Sequence, residues 1–224
     1  MGLRAVFFDA GNTLVFADRN QTLAPLISRG VEVSQDAIFA AERASRRFRD
    51  ANAAGDPGHT DQQFWHIYYH ELLSLYPAHA DTLPELVAAA RNSAAWSLVP
   101  PGTRELLERL RESYRLAVIS NSDGRIADLF VRLGLADCFE SITDSGNVGF
   151  QKPHPEIFRA ALRSLNVSAE ESVYVGDVYS IDYAGAQSVG MRGVLMDPYG
   201  TYALNGLPRI TNLGELEKLL PKLS

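Results

Sequence analysis

The sequence predicts an α/β protein in which a long helical segment interrupts a parallel sheet. Short apolar runs rich in β-forming residues alternate with amphipathic stretches, and this alternation is typical of βαβ units. A long segment between the first and second runs has helical spacing and no convincing strand. The chain has 224 residues, 46% of them hydrophobic, which is enough for one large domain or a domain with an insert.

The sheet is predicted from four apolar runs. They lie near residues 4–8, 115–119, 172–176 and 192–196. Because amphipathic helical stretches separate the runs, we expect the strands to be parallel and joined by helical crossovers.

The insert is predicted to be helical. Ser34 is suited to cap a helix that runs to about residue 54, and Thr60 begins a capping box before a second helix. A third helix is expected over residues 83–96, and the Pro-Pro-Gly sequence at 100–102 marks the return to the core. These limits divide the chain into a core, residues 1–15 and 97–224, and a helical insert, residues 16–96.

Side chains that can carry out chemistry follow the predicted strands or precede a helix. Asp9 alone is explained equally well as a nucleophile or as a turn residue after a buried strand. However, the carboxyl ends of parallel strands meet at one crevice, so groups far apart in sequence are expected to converge there. The ordered set of candidates, which favours a catalytic site, is Asp9, Ser120, Asn121, Lys152, Asp177 and Asp182.

This ordered set resembles the motifs of the haloacid dehalogenase-like hydrolase superfamily, and the resemblance covers nearly the whole chain. It implies a Rossmann-like core with an inserted helical cap, which would open and close over the crevice and select the substrate. It also implies that Asp9 forms an aspartyl-phosphate and that Ser120 and Lys152 hold the transferring group. Thr13 and Asn121 are further candidates for binding the phosphate of a small phosphorylated substrate.

The resemblance also implies a Mg²⁺ site. Its protein ligands would be the carboxylates of Asp9 and Asp177 and the backbone carbonyl of Gly11, with water and substrate phosphate completing the octahedron that Mg²⁺ prefers. Asp182 is expected to orient neighbouring groups, and the alternative is that it binds the Mg²⁺ through a water molecule.

Gly11 departs from the family pattern. Phosphatases of this superfamily usually carry a second Asp there as general acid and base, and positioned proton transfer is typically worth ~10²–10⁴-fold in rate. Three hypotheses follow: a weak or specialised phosphohydrolase, a catalytically impaired protein that binds a phosphorylated ligand or partner, and a 2-haloacid dehalogenase-type hydrolase. A histidine of the insert could also supply the missing proton.

Lysine usage narrows these alternatives. The chain contains only Lys152, Lys218 and Lys222, so the insert lacks the lysine with which phosphonate-cleaving relatives form a Schiff base. Dehalogenating relatives usually lack the Gly-Asp pair that this chain has at Gly176 and Asp177. Phosphoryl transfer is therefore favoured.

Charge and cysteine usage limit the partners. A net charge of −6 argues against nucleic acid, and the basic run Arg43, Arg46, Arg47 and Arg49 is interpreted as a solvated helix face. Cys138 is expected to be a small core residue in a reducing compartment. Since no signal peptide or membrane-spanning run is visible, we expect a cytoplasmic protein without a membrane partner, either monomer or homodimer.

Overall fold

The computed structural model describes residues 2–53, 57–202 and 206–223. The chain divides into two compact units. The core unit comprises Met1–Val15, Val99–Pro198 and Leu204–Ser224, and the helical unit comprises Phe16–Leu98 and Tyr199–Ala203.

The strands are, in chain order, β1 Ala5–Phe8, β2 Phe16–Ala17, β3 Trp96–Leu98, β4 Arg115–Ser120, β5 Ser141–Asp144, β6 Ser172–Gly176, β7 Arg192–Met196 and β8 Arg209–Ile210. The α-helices are α1 Arg19–Thr22, α2 Ala24–Ile27, α3 Gln35–Ala51, α4 Pro57–Ser74, α5 Leu83–Arg91, α6 Thr103–Arg111, α7 Ile126–Arg132, α8 Ser145–Val148, α9 Pro155–Leu165, α10 Ala184–Ser188 and α11 Leu216–Leu219. A short π-helix spans Tyr179–Tyr183.

The core unit is built on a six-stranded sheet in the order β5-β4-β1-β6-β7-β8. Every neighbouring pair is parallel, which confirms the predicted α/β fold class and its Rossmann-like parallel sheet. The four predicted strands are all present. β5 and β8 were not predicted, because β5 has the polar sequence Ser-Ile-Thr-Asp and β8 has only two residues.

β1 is at the centre of this sheet and is buried on both faces. Its last residue, Phe8, is in register with Val118 of β4 and with Val175 of β6. The apolar side of α9, including Ile157 and Phe158, packs in the same hydrophobic cluster as alternate residues of these strands. Because the three strands end side by side, the residues that follow them emerge at one edge of the sheet.

The helical unit contains α1 to α5 and a two-stranded antiparallel pair, β2 and β3. Ser34 caps α3 as predicted, since its hydroxyl accepts a hydrogen bond from the N–H of Ala37. α4 begins at Pro57, three residues before the predicted start, and proline is favoured in the first turn of a helix. The side chains of residues 54–62, including the predicted capping box, lie outside the described residues.

The end of the insert differs from the prediction. The helix expected to reach residue 96 ends at Arg91, and Trp96 lies instead in β3. The predicted core segment 97–224 therefore starts too early by two residues, because residues 97 and 98 belong to β3, which pairs with β2 in the helical unit.

Tyr199–Ala203 also belongs to the helical unit, although the prediction assigned this segment to the core. The Tyr199 ring stacks edge-on against Phe39 at 5.2 Å, and its hydroxyl accepts a hydrogen bond from Arg19 at 3.3 Å. Arg43 donates a hydrogen bond to the Tyr199 carbonyl oxygen. These non-local contacts with α1 and α3 are the physical reason for the difference.

The interpretation of the arginine run as wholly solvated is wrong for Arg46. Its side chain is 1% exposed and pairs at 2.5 Å with Glu42, one turn earlier on α3. The guanidinium also lies 4.7 Å from the centre of the Tyr199 ring. A charged residue on the apolar side of a helix is buried here because its partner is buried with it.

Candidate active site

Asp9 follows the central strand β1 and is 8% exposed. Its backbone N–H donates to the Val175 carbonyl oxygen at 2.8 Å, which continues the pairing of β1 with β6 to the candidate nucleophile itself. Its Oδ1 accepts a hydrogen bond from Lys152 Nζ at 2.6 Å. In the part of the chain that the structure describes, Oδ2 accepts no hydrogen bond, so this oxygen is available to react or to bind a cation.

Lys152 is brought to this edge from the loop before α9. Its ammonium donates to three oxygens, Asp9 Oδ1 at 2.6 Å, Tyr174 Oη at 2.7 Å and Asp182 Oδ1 at 2.8 Å. A lysine ammonium has three N–H groups, so all of them are used within the core unit. Lys152 therefore holds Asp9 directly, whereas the resemblance implied that it holds the transferring group.

Asp182 is fixed through both of its carboxylate oxygens. Oδ1 binds Lys152 and lies 3.0 Å from the Tyr174 hydroxyl, while Oδ2 accepts the Val178 N–H at 2.9 Å. Gly176 makes this position possible, because a Cβ at residue 176 would lie 2.5 Å from Asp182 Cβ and Cγ.

Three carboxylates gather here: single oxygens of Asp9, Asp177 and Asp182 lie within 4.8 Å of one another, and all three residues are buried. With Asp9 ionised, these three carboxylates and the single ammonium of Lys152 leave two negative charges in the cluster. Buried charge of this kind is costly unless a cation compensates it. Hard carboxylate oxygens are the donors that Mg²⁺ selects, so the donor set fits this ion.

The protonation states reflect this burial. Burial raises the pKa of Asp9 from its ordinary 3.8 to about 7, with Asp182 and Asp177 adding to the rise and Lys152 opposing it. Burial alone would lower the pKa of Lys152, but the neighbouring Asp182 and Asp9 carboxylates raise it above its ordinary value. Burial also raises the pKa of Tyr174 well above 10. At neutral pH the cluster therefore contains an ammonium and a neutral phenol.

Asn121, a predicted phosphate ligand, is engaged elsewhere. Its amide donates to the Lys152 carbonyl oxygen at 3.0 Å and accepts the Lys152 N–H at 2.7 Å. This pair of bonds ties the loop after β4 to the backbone of Lys152. One amide N–H of Asn121 remains for any other ligand.

Asp144, at the end of β5, supports the same loop. Its carboxylate accepts the N–H groups of Gly124, Ile126 and Gly146 at 2.9–3.1 Å. The hydroxyl of Ser145 adds bonds to both the N–H and the carbonyl of Ser122. Sequence analysis overlooked Asp144 because β5 itself was not recognised.

Two predicted hydroxyl ligands have no hydrogen-bond partner among the described residues. Thr13 is fully buried, and its Oγ1 has no hydrogen-bond partner among the described residues. Ser120 is 4% exposed at the end of β4, and across the described ranges its hydroxyl also makes no hydrogen bond. Buried hydroxyls are rarely left unpaired, so the Thr13 hydroxyl is suited to bind an incoming group. The Ser120 hydroxyl is available for the same role.

Gly11 lies in the turn between β1 and β2 and forms a parallel bridge with Val15. The bridge uses the Ala10 carbonyl and the Asn12 N–H, so it does not use the Gly11 carbonyl. Asn12 has a positive φ of 54°, whereas Gly11 is not among the positive-φ glycines of the described residues. A positive φ is therefore not the reason for glycine at this position.

Tyr174 is the main component of the cluster that sequence analysis did not identify. It lies inside β6, where an aromatic residue reads as ordinary core packing. One signal was available, because strand alternation places Tyr174 and Gly176 on the same face, next to the Asp182 side chain.

His66 and His70, which have metal-ligand spacing on α4, are exposed. Among the described residues, the group that could hold a metal is the aspartate cluster and does not include them. Cys138 is 1% exposed, as expected for a core residue. Within the same ranges, no helix is both long enough and apolar enough to cross a membrane.

A family model for haloacid dehalogenase-like hydrolases matches residues 3–190. The chain belongs to the haloacid dehalogenase-like hydrolase family. This hydrolase is 28% identical to haloacid dehalogenase-like hydrolase domain-containing protein 3 of Mus musculus over 99% of its own length and 94% of that protein. It is 36% identical to glyceraldehyde 3-phosphate phosphatase of Pyrococcus furiosus, over 60% of its own length and 65% of that enzyme.

A solved structure with the same fold is 2-haloacid dehalogenase from Pseudomonas syringae pv. Tomato. It is 26% identical to this haloacid dehalogenase-like hydrolase, with a TM-score of 0.60 over 99% of this chain and all of the other. Relatives of this chain thus include enzymes named for two chemistries.

Proposed function

We propose that this hydrolase is a Mg²⁺-dependent phosphohydrolase that acts on a small phosphorylated metabolite through an aspartyl-phosphate at Asp9. One observation carries the proposal: Lys152 holds one oxygen of Asp9 at 2.6 Å, beside two more buried carboxylates. A carboxylate held in this way has one oxygen oriented for attack. The surplus negative charge calls for a cation, which would also attract the phosphoryl oxygens.

Asp9, Asp177 and the Gly11 carbonyl would hold the Mg²⁺, and Asp182 would keep Lys152 and the adjacent backbone in place. When bound, the ion supplies charge that neutralises the negative charge developing on the phosphoryl oxygens. The free hydroxyls of Thr13 and Ser120 would donate to the same oxygens.

In the first step an Asp9 oxygen attacks phosphorus, an O–P bond to Asp9 forms and the bond to the leaving oxygen breaks. Water then attacks phosphorus, the bond to Asp9 breaks, and inorganic phosphate leaves. The departing alkoxide must take a proton in the first step, and Gly11 has no side chain to provide it. We therefore expect aryl and acyl phosphates to be better substrates than alkyl phosphates.

We also propose that the helical unit is the cap of this enzyme and excludes water during the reaction, as its position in the sequence soon after β1 and Asp9 suggests. The unit contains no lysine, so it offers no amine for Schiff-base chemistry. A cytoplasmic location is part of the same proposal.

The second candidate is a protein that binds a phosphorylated ligand without turnover, and Gly11 is the observation that favours it. The third, dehalogenation, is favoured by the resemblance to the P. syringae dehalogenase. The acidic cluster argues against dehalogenation. A carboxylate nucleophile can displace a halide without a bound cation, so that reaction gives no reason for the excess negative charge of three buried carboxylates.

A substrate panel tests these alternatives. Aryl, acyl and alkyl phosphates are assayed with Mg²⁺ and with excess chelator, and a 2-haloacid is assayed in parallel. We expect Mg²⁺-dependent phosphate release that is fastest with acyl and aryl substrates. Halide release that survives chelation would establish dehalogenation instead, and phosphate binding without turnover would establish the binding protein.

A further inference from the structure

Tyr174 connects several parts of the cluster, although no motif marks it. The residue is fully buried in β6. Its hydroxyl oxygen lies 2.7 Å from Lys152 Nζ, 3.0 Å from Asp182 Oδ1 and 3.2 Å from the Ile119 carbonyl oxygen. Ile119 immediately precedes Ser120, so one phenol contacts the end of β4, the lysine and the acidic residue that follows β6.

The phenol completes the surroundings of the lysine ammonium. Lys152 has three N–H groups and three acceptors, and two of these are the carboxylates of Asp9 and Asp182. Without the third acceptor, one buried N–H would be unpaired, and the ammonium could move towards either carboxylate. Asp9 would then lose its fixed orientation, because Lys152 is its only hydrogen-bond donor among the side chains that the structure describes.

The neutrality of the phenol also matters. A third carboxylate in its place would satisfy the same N–H but would add a further negative charge beside Asp9. The hydroxyl instead accepts from Lys152 and keeps one hydrogen for Asp182 or for the Ile119 carbonyl. It thereby orients the ammonium without changing the charge of the cluster.

We propose that Tyr174 is a positioning residue for the reaction: its hydroxyl holds the Lys152 ammonium on Oδ1 of Asp9 and so leaves Oδ2 oriented for attack. This inference rests on the proposed function, since it assigns the orientation of the same nucleophile. It differs from a structural role, in which the hydroxyl would matter for folding alone.

Tyr174→Phe is the test, because it removes only the hydroxyl and keeps the ring that packs on Phe158 at 5.4 Å. Tyr69→Phe is the matched control: Tyr69 is also buried, and its hydroxyl also donates to a backbone carbonyl, that of Thr22 at 3.3 Å. Both variants lose one buried hydroxyl, but only Tyr174 contacts Lys152.

Both proteins are assayed with saturating Mg²⁺ on p-nitrophenyl phosphate and acetyl phosphate. For Tyr174→Phe we expect kcat to fall by about 10–100-fold with KM within about twofold, as is typical when the support of a reacting group is removed. The melting temperatures of the two variants should fall by similar amounts, and Tyr69→Phe should keep the wild-type kcat. A Tyr174→Phe protein with wild-type kcat would overturn the positioning role.

A second variant and a second readout keep the result independent of folding and turnover. Replacing Tyr174 with 3-fluorotyrosine keeps the hydroxyl that accepts from Lys152 and should keep kcat near that of wild type. A folded 3-fluorotyrosine protein as slow as Tyr174→Phe would contradict the role of the contact. Beryllofluoride, a phosphoryl mimic, should bind at least ~10-fold more weakly to Tyr174→Phe than to wild type, measured by fluorine NMR.

These readouts separate the two proposals. If the wild type turns over and Tyr174→Phe has the same kcat and the same beryllofluoride affinity, only the positioning role is overturned. A wild-type protein that neither releases phosphate nor binds beryllofluoride overturns the proposed function, and the positioning role with it.

Discussion

The core unit and the helical unit each bury ionic side chains, but they do so in opposite ways. In the helical unit, Glu42 and Arg46 are one turn apart on the same helix and balance each other. In the core unit, the partners of Lys152 lie 143 and 30 residues away along the chain, and negative charge is in excess. A pair that balances itself within one helix fits a structural role, whereas an unbalanced cluster assembled from separate segments of the chain fits the proposed cation site.

We expect the greatest change in rate from a substitution at Gly11, where no positive φ disfavours a side chain. Gly11→Asp restores a carboxylate next to the cluster and should speed alkyl phosphate hydrolysis by up to ~10²–10⁴-fold, with a shallower dependence on leaving-group pKa. Kinetics on a series of aryl and alkyl phosphates measure this. Gly11→Asn, which cannot supply a proton, is the control, and an equal gain in that variant would contradict acid catalysis.

The two units can be tested against each other by removing the positively charged side chain from each. Lys152→Met leaves the buried carboxylates of the core cluster without their ammonium, and Arg46→Met leaves Glu42 with only Arg19, at 3.8 Å. Each should lower the free energy of unfolding, by up to about 3–5 kcal/mol. Since we propose that Mg²⁺ binds at the core cluster, added Mg²⁺ should restore a large part of that loss in Lys152→Met and none of it in Arg46→Met. Denaturant unfolding with and without Mg²⁺ gives both values.

A double variant tests whether the cost of Arg46→Met comes from the charge that it leaves on Glu42. Glu42→Leu together with Arg46→Met removes both charges and should be far more stable than Arg46→Met alone. If the double variant were no better than the single one, the cost would come from lost packing against Tyr199 and not from unpaired charge.

A smaller effect is expected at Gly176. In Gly176→Ala the new Cβ would meet Asp182 at 2.5 Å, so the carboxylate must move and the Lys152 contacts must lengthen. We expect a loss of about 1–3 kcal/mol in the free energy of unfolding, together with weaker Mg²⁺ binding by calorimetry. Gly2→Ala is the control, since nothing lies within 4 Å of a Cβ at that residue. Unchanged Mg²⁺ affinity in Gly176→Ala would contradict the packing argument.

The raised pKa of Asp9 predicts a modest pH effect on the metal-free protein. The folded state keeps this proton up to about pH 7, while the unfolded chain releases it near 3.8. The folded state thus binds more protons in this window, so stability falls as pH rises from 3.8 to about 7. Asp9→Asn should show a flatter dependence in metal-free buffer, and identical pH profiles would contradict the shift.

The sequence was sufficient for those features that depend on local pattern. Four buried strands were visible as apolar runs, and parallel pairing then implied that Asp9, Ser120 and Asp177 lie at one edge. Their catalytic roles stay predictions. Ser34 was recognised as a helix cap because its hydroxyl bonds only three residues away.

Features that depend on distant partners could not be read from the sequence. Arg46 looked solvated because hydropathy does not reveal that Glu42 is buried beside it. Tyr174 looked like ordinary strand packing until Lys152 was placed next to its hydroxyl. Tyr199 joins the helical unit through contacts with residues more than 150 positions away, a separation that no local pattern encodes.

Covalent catalysis at Asp9 can be tested by trapping the aspartyl-phosphate. Wild-type protein is mixed with acetyl phosphate and Mg²⁺, quenched in acid during turnover, and reduced with borohydride, which converts an aspartyl-phosphate to homoserine. Peptide mass spectrometry should then find homoserine at position 9, and Asp9→Asn and chelator-treated samples should lack it. Steady phosphate release from the wild type with unmodified Asp9 under the same quench would contradict covalent catalysis at this residue.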